Sequence, residues 1–462
     1  MLISPTDRRA ALLAPATAAR KRRRRVDVLQ VLAILSVAVV VALFLADRGL
    51  EIASPAEGLD QLGILCGLVG TDLLLLMLLL AARLPIIDRA FGHDRAMVLH
   101  AKLGKPALLL LIAHAGLLLV GYAITDGADL VAESFALSAV PDMPLAFLGL
   151  AALIAVVVTS LVIVRRRLRF EVWHLVHLLA YAGALAAVPH QFSVGGLFAE
   201  GTLQRWYWIV LYVAVALSLL LFRFALPVYR SLRHGLRVSA VRVTHGVADI
   251  RMRGRALAAL RARGGQFLVW RFWTAGLWWQ AHPYSLSSIG THEVRISVRA
   301  LGTGSAALAA LRPGTRVSVE GPYGIFTEHA RTRESVLYLA AGIGTAPLRA
   351  LIEEAVFVPW KAAFIIRAGS LEQVYLLDEI TELCRRKGIT LYLDLGHRDA
   401  GSASWLSGAS VAAGYDLRSY APWVGDADVF VCGPRRWTDA IVHEASAIGL
   451  KSEQVHYERF DW

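Results

Sequence analysis

Cysteine is scarce in this chain. Among 462 residues there are three, Cys66, Cys384 and Cys432, and no C-x-x-C pair. A disulfide framework is therefore not expected, and a cysteine-ligated zinc or iron–sulfur site lacks ligands. Charge is scarce too, at 18% of residues, against about 25% in an average soluble domain. Acidic groups are the rarer sign, 36 against 48 Lys and Arg, for a net charge of +12. No interleaving of basic and aromatic residues accompanies that excess, so nucleic acid is not an expected partner. Basic loops flanking membrane spans suit it better. There is no internal repeat and no EF-hand loop, so calcium control is not expected.

What is plentiful is apolar side chain, 56% of the total, with a positive mean hydropathy. Six apolar runs are long enough to cross a bilayer core, which takes about 20 helical residues. They lie near 28–46, 62–82, 97–123, 145–164, 171–191 and 206–224. The first follows the basic run Arg20 to Arg25. A signal peptide would end at a small-residue cleavage site, whereas this run reaches the length of a full span and reads as a transmembrane helix.

The loops alternate in charge. Eight Lys or Arg precede the first span; the 47–61 loop has only Arg48, against Asp47, Glu51, Glu57 and Asp60. The 83–96 loop carries Arg83, Arg89 and Arg95, and the 124–144 loop has no basic residue. Residues 165–169 are Arg-Arg-Arg-Leu-Arg, 192–205 has only Arg205, and Arg223, Arg230 and Arg233 follow the last span. By the positive-inside rule both termini are expected in the cytoplasm, with the chain multi-pass in the cell membrane.

Four histidines interrupt these runs: His100 and His114 in the third, His177 and His190 in the fifth. Ionisable side chains within a span are costly and mark function by default. A 14-residue step is almost four helical turns, so His100 and His114 share a face, roughly 21 Å apart. Two such helices suit two stacked haems, each iron held by two imidazoles with no open position. The 13-residue step from His177 to His190 turns the rings apart on an ideal helix, and a distortion at Pro189 is the expected repair. His174, one turn before His177, is an alternative ligand. His93 reads as structural or as a neighbour of a haem propionate. Hydrogen-bonded core histidines are the bland alternative for all of them.

With Ala82-Arg-Leu-Pro85, the His100 to His114 step, and Trp173-His-Leu-Val-His177 to His190, the first half resembles the ferric reductase/NADPH oxidase family of transmembrane haem proteins. The resemblance covers about residues 60–462. It implies two haems b, the inner on His100 and His177 and the outer on His114 and His190.

After about residue 236 the texture changes. Val238–Met252, Gln266–Phe272, Val294–Ala300 and Thr315–Val319 are alternating or β-branched, as in a small antiparallel barrel. From about 333, strand-like runs (336–339, 363–366, 390–394) alternate with helix-like runs (347–357, 376–386), a βαβ pattern. Residues 401–420, rich in Ser, Gly and Ala, read as a loop. The expected domains are a basic cytoplasmic tail (1–25), an all-α six-helix transmembrane haem bundle (26–226), an antiparallel β-barrel FAD domain (236–330) and an α/β parallel-sheet NAD(P) domain (333–462).

His282-Pro-Tyr-Ser-Leu-Ser-Ser288 resembles the flavin motif of the ferredoxin-reductase superfamily, Arg-x-Tyr-Ser-x-x-Ser, with His282 in the Arg position. His282, Pro283, Tyr284, Ser285 and Ser288 are thereby candidates for FAD. Tyr284 suits packing on flavin or ribityl, Ser285 a hydrogen bond to the isoalloxazine, and His282 a phosphate. Gly302-Thr-Gly-Ser305 opens a helix whose N–H groups suit the FAD pyrophosphate, so Gly302 and Ser305 join the set. Gly321-Pro-Tyr-Gly324 resembles the turn that closes the flavin domain, or is a plain tight turn. Gly342-Ile-Gly-Thr-Ala-Pro347 follows a strand, and Gly342, Gly344, Thr345 and Pro347 suit a dinucleotide pyrophosphate. Cys432-Gly433-Pro434 resembles the superfamily motif beside the nicotinamide, although Cys432 also reads as an inert buried thiol. Arg367 and Arg398 suit a 2′-phosphate or are solvated loop charges, with NADPH favoured over NADH. Phe460 and Trp462 are the candidate aromatics over the flavin. Ser285, Cys432 and Trp462 are the residues expected nearest the reacting atoms.

These readings imply a transmembrane oxidoreductase of the NAD(P)H oxidase or ferric-chelate reductase type. Cytoplasmic NAD(P)H would supply electrons through FAD and two haems to an extracytoplasmic acceptor, ferric iron or O2, the latter giving superoxide. The alternative is a non-catalytic haem subunit or redox sensor with a docking flavin module, against which the intact motifs weigh. An oxygenase reductase would need an iron–sulfur domain that three scattered cysteines do not build.

Overall fold

The computed structural model describes residues 5–48, 52–168, 170–194, 198–300, 302–357, 360–399 and 401–460. The chain forms two compact units, one of residues 26–87 and 93–223, the other of residues 1–25, 88–92 and 224–462.

The first unit is helical. Among the described residues, six helices are long and apolar enough to cross a membrane: Arg20–Asp47, Pro55–Ala81, His93–Asp126, Met143–Ser160, Val172–Ser193 and Leu203–His234. They coincide with the six apolar runs of the sequence. Leu109, Leu175 and Leu185 on their outer faces are exposed, as lipid-facing side chains must be when hydrocarbon is the solvent.

Glycine sets the close packing inside. A Cβ on Gly63 would lie 3.0 Å from Leu118, and one on Gly70 3.1 Å from Leu111, so Pro55–Ala81 lies tightly on His93–Asp126. A Cβ on Gly149 would stand 2.7 Å from the Gly183 carbonyl oxygen. Small residues at such crossings let backbones approach where no hydrophobic force drives helices together.

Two details depart from the sequence reading. The 124–144 segment, read as a loop, contains a helix, Leu130–Ala139. Asp129 caps it, accepting hydrogen bonds from the N–H groups of Val131 and Ala132, both at 2.9 Å. Its acidic residues thus serve helix termini as well as solvent. The last span also contains a π-helical turn, Leu219–Ala225, just before Pro227, which lacks the N–H that a regular ladder would use.

In the second unit a six-stranded antiparallel sheet runs in the order β1-β2-β5-β4-β3-β6. The strands are β1 (Arg237–Thr244), β2 (Val247–Arg253), β3 (Phe267–Phe272), β4 (His282–Ile289), β5 (Glu293–Arg299) and β6 (Val317–Tyr323). The stretch 238–252, read as one strand-like segment, is a hairpin. His245 and Gly246 both take positive φ at its turn, the geometry that a two-residue hairpin loop requires. Bonds from Val238 N to Thr315 O and from Val317 N to Leu236 O, each 2.9 Å, draw the first and last strands together. The sheet curls around Ile250, Met252, Leu268, Trp270 and Ile296.

A five-stranded parallel sheet follows, ordered β11-β10-β7-β8-β9. Its strands are β7 (Ser335–Ala341), β8 (Ala362–Ala368), β9 (Thr390–Leu395), β10 (Ala427–Pro434) and β11 (Val455–Phe460). The chain winds outward from β7 to β9, then returns to the other side of β7 as β10. That reversal creates a crevice at the carboxyl ends of β7 and β10, where ligands of such sheets bind. The 401–420 stretch is not wholly loop: Ser407 caps Gly408–Ala412 and Asp416 caps Leu417–Tyr420.

One ion-pair network clamps the two sheets of this unit. Arg295 on β5 forks onto Glu379 at 2.7 and 2.8 Å. Arg349 pairs with the same carboxylate at 3.0 Å and donates to the Ser287 carbonyl at 3.2 Å. Arg295 is almost wholly buried, so truncating it leaves its partners short of donors. Arg295→Ala is expected to destabilise the unit by about 2 kcal/mol. Arg295→Lys, which keeps charge without the fork, should recover part of that loss. Chemical denaturation followed by tryptophan fluorescence measures both.

Candidate functional site

Two sites emerge, one in each unit. In the helical unit the four histidines meet in two pairs. The His100 and His177 ring centres stand 6.1 Å apart, and those of His114 and His190 6.5 Å. Two imidazoles that bind one metal from opposite sides, each about 2 Å away, hold their centres roughly 6 Å apart. It is His177 that faces His100; His174 packs beside Trp173.

The 13-residue step is accommodated by a break. The helix Phe170–Ala186 stops, and a separate helix, Val188–Ser193, starts with Pro189 in its first turn. That re-aims His190 toward His114.

The partner helix orients the first pair member of each site. The His114 ring Nδ1 lies 2.9 Å from the Gly63 carbonyl, and that of His100 lies 3.0 Å from the Met77 carbonyl. A carbonyl accepts from Nδ1–H, which would leave Nε2 free to ligate a metal. Gly63 and Met77 are 14 residues apart, the same step as the two histidines. Gly67 completes the arrangement, since a Cβ there would fall 2.5 Å from His114 Nδ1. The sequence reading missed these residues, though the Gly63, Gly67, Gly70 series is a small-residue signal of a close crossing.

A cavity of about 840 Å³ opens beside the second pair, lined by Leu68, Leu111, His114, Phe147, His190 and Tyr212 among others. Its walls are apolar and its volume suits a large planar ligand. Among the described residues no three His, Cys, Asp or Glu side chains converge as on a bare metal ion. Facing imidazoles with no further protein ligand fit a metal whose remaining positions a macrocycle supplies, as in haem.

In the other unit, the 282–288 motif lies on strand β4, so the strand that the sequence offered as the plain alternative to a flavin motif is present and carries the motif's side chains. His282 and Tyr284 alternate onto one face, and their rings stack 6.0 Å apart and nearly parallel. Trp270 Nε1 donates to the Tyr284 carbonyl at 3.1 Å and fixes the strand. His282 is buried and its Nε2 has no hydrogen-bond partner. Burial, then Arg271, lowers the His282 pKa, while burial pushes the Tyr284 phenol up to about 12. A neutral His282 therefore offers a hydrogen bond rather than a full charge, and its orphaned nitrogen fits a bound anionic group.

Pro283 and Ser285 alternate to the other face of β4. Ser288 donates to Glu353 at 3.4 Å, at the seam between the sheets. Gly302 and Ser305 cap the short helix Thr303–Leu308: Gly302 N–H donates to Ser305 Oγ at 3.0 Å. A Cβ on the intervening Gly304 would lie 3.1 Å from Gln280 Oε1 and 3.7 Å from His282 Cε1. The glycine turn and the flavin-like motif thus meet, with Gln280 as a neighbour that the sequence reading did not single out.

The nucleotide-like motifs meet at the crevice between β7 and β10. Gly342–Gly344 form a turn that opens the helix Thr345–Glu354, and Thr345 Oγ1 donates to the Gly342 carbonyl at 3.0 Å. A Cβ on Gly344 would stand 2.0 Å from the Cys432 carbonyl oxygen, and one on Gly433 2.8 Å from the Trp437 ring. Pro347 is buried in that helix's first turn, and Pro434 ends β10. Cys432 itself is fully buried in the core, and burial holds its thiol well above the ordinary range. It is a packed, protonated thiol.

Arg367 and Arg398 differ in their surroundings. Arg367 is buried, pairs with Asp394 at 3.2 Å and donates to the Gly396 carbonyl at 2.7 Å. Asp394 in turn accepts from Ser407 Oγ at 2.6 Å and Ser410 Oγ at 2.7 Å. That network is structural. Arg398, half-buried, donates to the carbonyls of Ser404 and Ser402 at 2.6 and 2.7 Å and so shapes its own loop. Phe460 ends β11 and packs on the core of the parallel sheet; Trp462 lies outside the described residues.

Because Gly344 meets backbone rather than a movable side chain, Gly344→Ala must displace a strand end. A loss of about 2 kcal/mol is expected, read as a lower Tm of the purified protein.

Residues 66–188 match the family described as ferric reductase like transmembrane component. The chain is similar to a flavohemoprotein of Xylella fastidiosa, 27% identical over 209 residues, which are 43% of this chain and 51% of the relative. It is also similar to ferredoxin–NADP reductase B of Sorangium cellulosum, 28% identical over 35% of this chain and 68% of that one. The chain thus spans about half the length of the flavohemoprotein it matches. Among solved structures, the flavohem-like FAD/NAD-binding domain of nitric oxide dioxygenase from Vibrio cholerae aligns with a TM-score of 0.39 and 20% identity, over 49% of this chain and 99% of that domain. This chain therefore carries a segment that matches the ferric reductase like transmembrane component and is also similar to flavohemoproteins and ferredoxin–NADP reductases.

Proposed function

We propose that the protein is a transmembrane oxidoreductase carrying electrons from NAD(P)H, through FAD and two bis-histidine haems b, to an acceptor on the opposite side of the membrane. The observation that carries the reading is two pairs of facing imidazoles, 6.1 and 6.5 Å between centres. When bound, the flavin would take a hydride from NAD(P)H and the haem irons would pass its electrons on singly.

The chain's own residues hold and insulate these groups. His100 and His177 would hold the haem nearer the basic, cytoplasmic loops, and His114 and His190 the one nearer the acidic loops. The carbonyls of Met77 and Gly63 fix the ring orientation and raise the basicity of Nε2. His282, Tyr284 and Ser285, with the turn at Gly302 to Ser305, would seat the flavin. The Gly342 to Pro347 turn and Cys432-Gly433-Pro434 would seat the nicotinamide nucleotide. Arg398 is the better placed of the two arginines for a 2′-phosphate, because Arg367 is committed to Asp394. Phe460 and Trp462 remain the candidate covers for the flavin ring.

With His114 and His190 both holding the iron, no position would be left for a substrate, so the final acceptor would take its electron without binding the metal. Ferric iron and O2, the latter yielding superoxide, are both acceptors of that kind.

Purified protein should show a low-spin bis-imidazole spectrum with two haems per chain and should reduce them with NADPH. His114→Leu should retain reduction of the remaining haem while transfer across a proteoliposome membrane falls more than about tenfold. Superoxide and ferrous iron, assayed side by side, identify the acceptor. Intact transmembrane transfer in the His114→Leu protein would overturn the relay.

A further inference from the structure

Among the described residues of the helical unit, Asp72 is the one carboxylate that is both wholly buried and set deep in a span. It is 0% exposed in the helix Pro55–Ala81. Ser36 Oγ donates to its Oδ1 at 2.7 Å, and the same hydroxyl lies 3.2 Å from the Tyr207 hydroxyl. Its Oδ2 has no hydrogen-bond partner, and no Lys or Arg pairs with it among the described residues. A carboxyl so placed is expensive as an anion, and an ionisable residue inside a membrane marks function by default, proton relays among the uses.

Its depth is informative. Counting along the helix, Asp72 lies five residues before Met77 and nine after Gly63. That puts it roughly 7 Å from the level of one histidine-orienting carbonyl and roughly 13 Å from the other, at 1.5 Å per residue. It stands between the levels of His100 and His114 on the helix whose carbonyls orient both. The preceding residue, Thr71, lines the cavity beside His114 and His190.

The groups facing this helix are few. Tyr207 comes from the helix Leu203–Ser218 and Ser36 from the helix Pro5–Arg48. His100 and His114 come from His93–Asp126, both bound to backbone carbonyls of Asp72's own helix. Among the described residues no Lys or Arg pairs with Asp72 to hold it ionised, so the positive charge of the oxidised haem irons would be what keeps it an anion, and reduction would remove that charge.

We propose that Asp72 is a redox-linked proton site: it takes up one proton when the haem relay gains an electron and releases it when the electron moves on. The electron comes from the reduced flavin and the proton from water. The new O–H bond forms on Oδ2, the oxygen that Ser36 leaves free. Each electron's charge is thereby offset within the low-dielectric interior, where uncompensated charge is costly. The proposal rests on the haem reading above.

The test is a redox-difference infrared spectrum and a pH series of haem midpoint potentials on the full-length protein. Reduction should produce the carbonyl band of a protonated carboxylic acid that shifts in D2O. Potentials should fall as pH rises. Asp72→Asn keeps volume and a hydrogen bond to Ser36, and should bind haem normally yet lose both the band and the pH dependence. Asp72→Glu should regain a band at a shifted frequency. A haem-loaded Asn variant with unaltered band and pH dependence would overturn the proton site alone. Wild-type protein without a bis-imidazole spectrum would overturn the haem reading, and this proposal with it.

Discussion

The helical unit depends on one contact made twice, a backbone carbonyl accepting a hydrogen bond from an intramembrane imidazole. Helix carbonyls are normally taken by the helix's own N–H groups, and their second lone pair is usually screened by side chains. Gly63 O and Met77 O reach His114 and His100 at 2.9 and 3.0 Å because glycines let the two helices close together. Each such bond settles which ring nitrogen is protonated and which way the ring points. The rings so held face His177 and His190, at 6.1 and 6.5 Å between centres.

The second unit solves a similar problem with a sheet. A dinucleotide-binding crevice needs backbone to come near a pyrophosphate, and side chains obstruct that. Gly344 and Gly433 remove side chains at the point where the strand order reverses, and the turn packs directly on the Cys432 carbonyl. Cys432 then acts through its backbone, since its thiol is buried. His282 achieves the reverse in the antiparallel sheet, where burial keeps it neutral and leaves a nitrogen without a protein partner.

Between the two sheets, Glu379 collects two arginines, Arg295 and Arg349. The flavin-like and nucleotide-like motifs lie on different sheets, so any chemistry between their ligands needs the sheets held in one arrangement. A forked, mostly buried ion pair is specific in geometry as well as attractive. Arg349 also bonds the carbonyl of Ser287, inside the 282–288 motif, and ties that motif directly to the nucleotide-side helix.

Local pattern alone determined much of this protein. Apolar run length marked six spans, alternation and βαβ order marked the two sheets, and the 14-residue histidine step marked a shared helix face, because each signal is carried by neighbours in sequence. Tertiary structure decided what depends on distant partners. That His177 rather than His174 faces His100, that the break at Ala187 brings His190 to His114, and that Arg367 is spent on Asp394 all follow from packing between separate elements. The helix Leu130–Ala139 escaped notice because it is short and its cap residue, Asp129, also suits a loop. Asp72 escaped for the same reason as the orienting carbonyls. One acidic residue in an apolar run has no local partner to announce it, and its Ser36 bond crosses 36 residues of sequence.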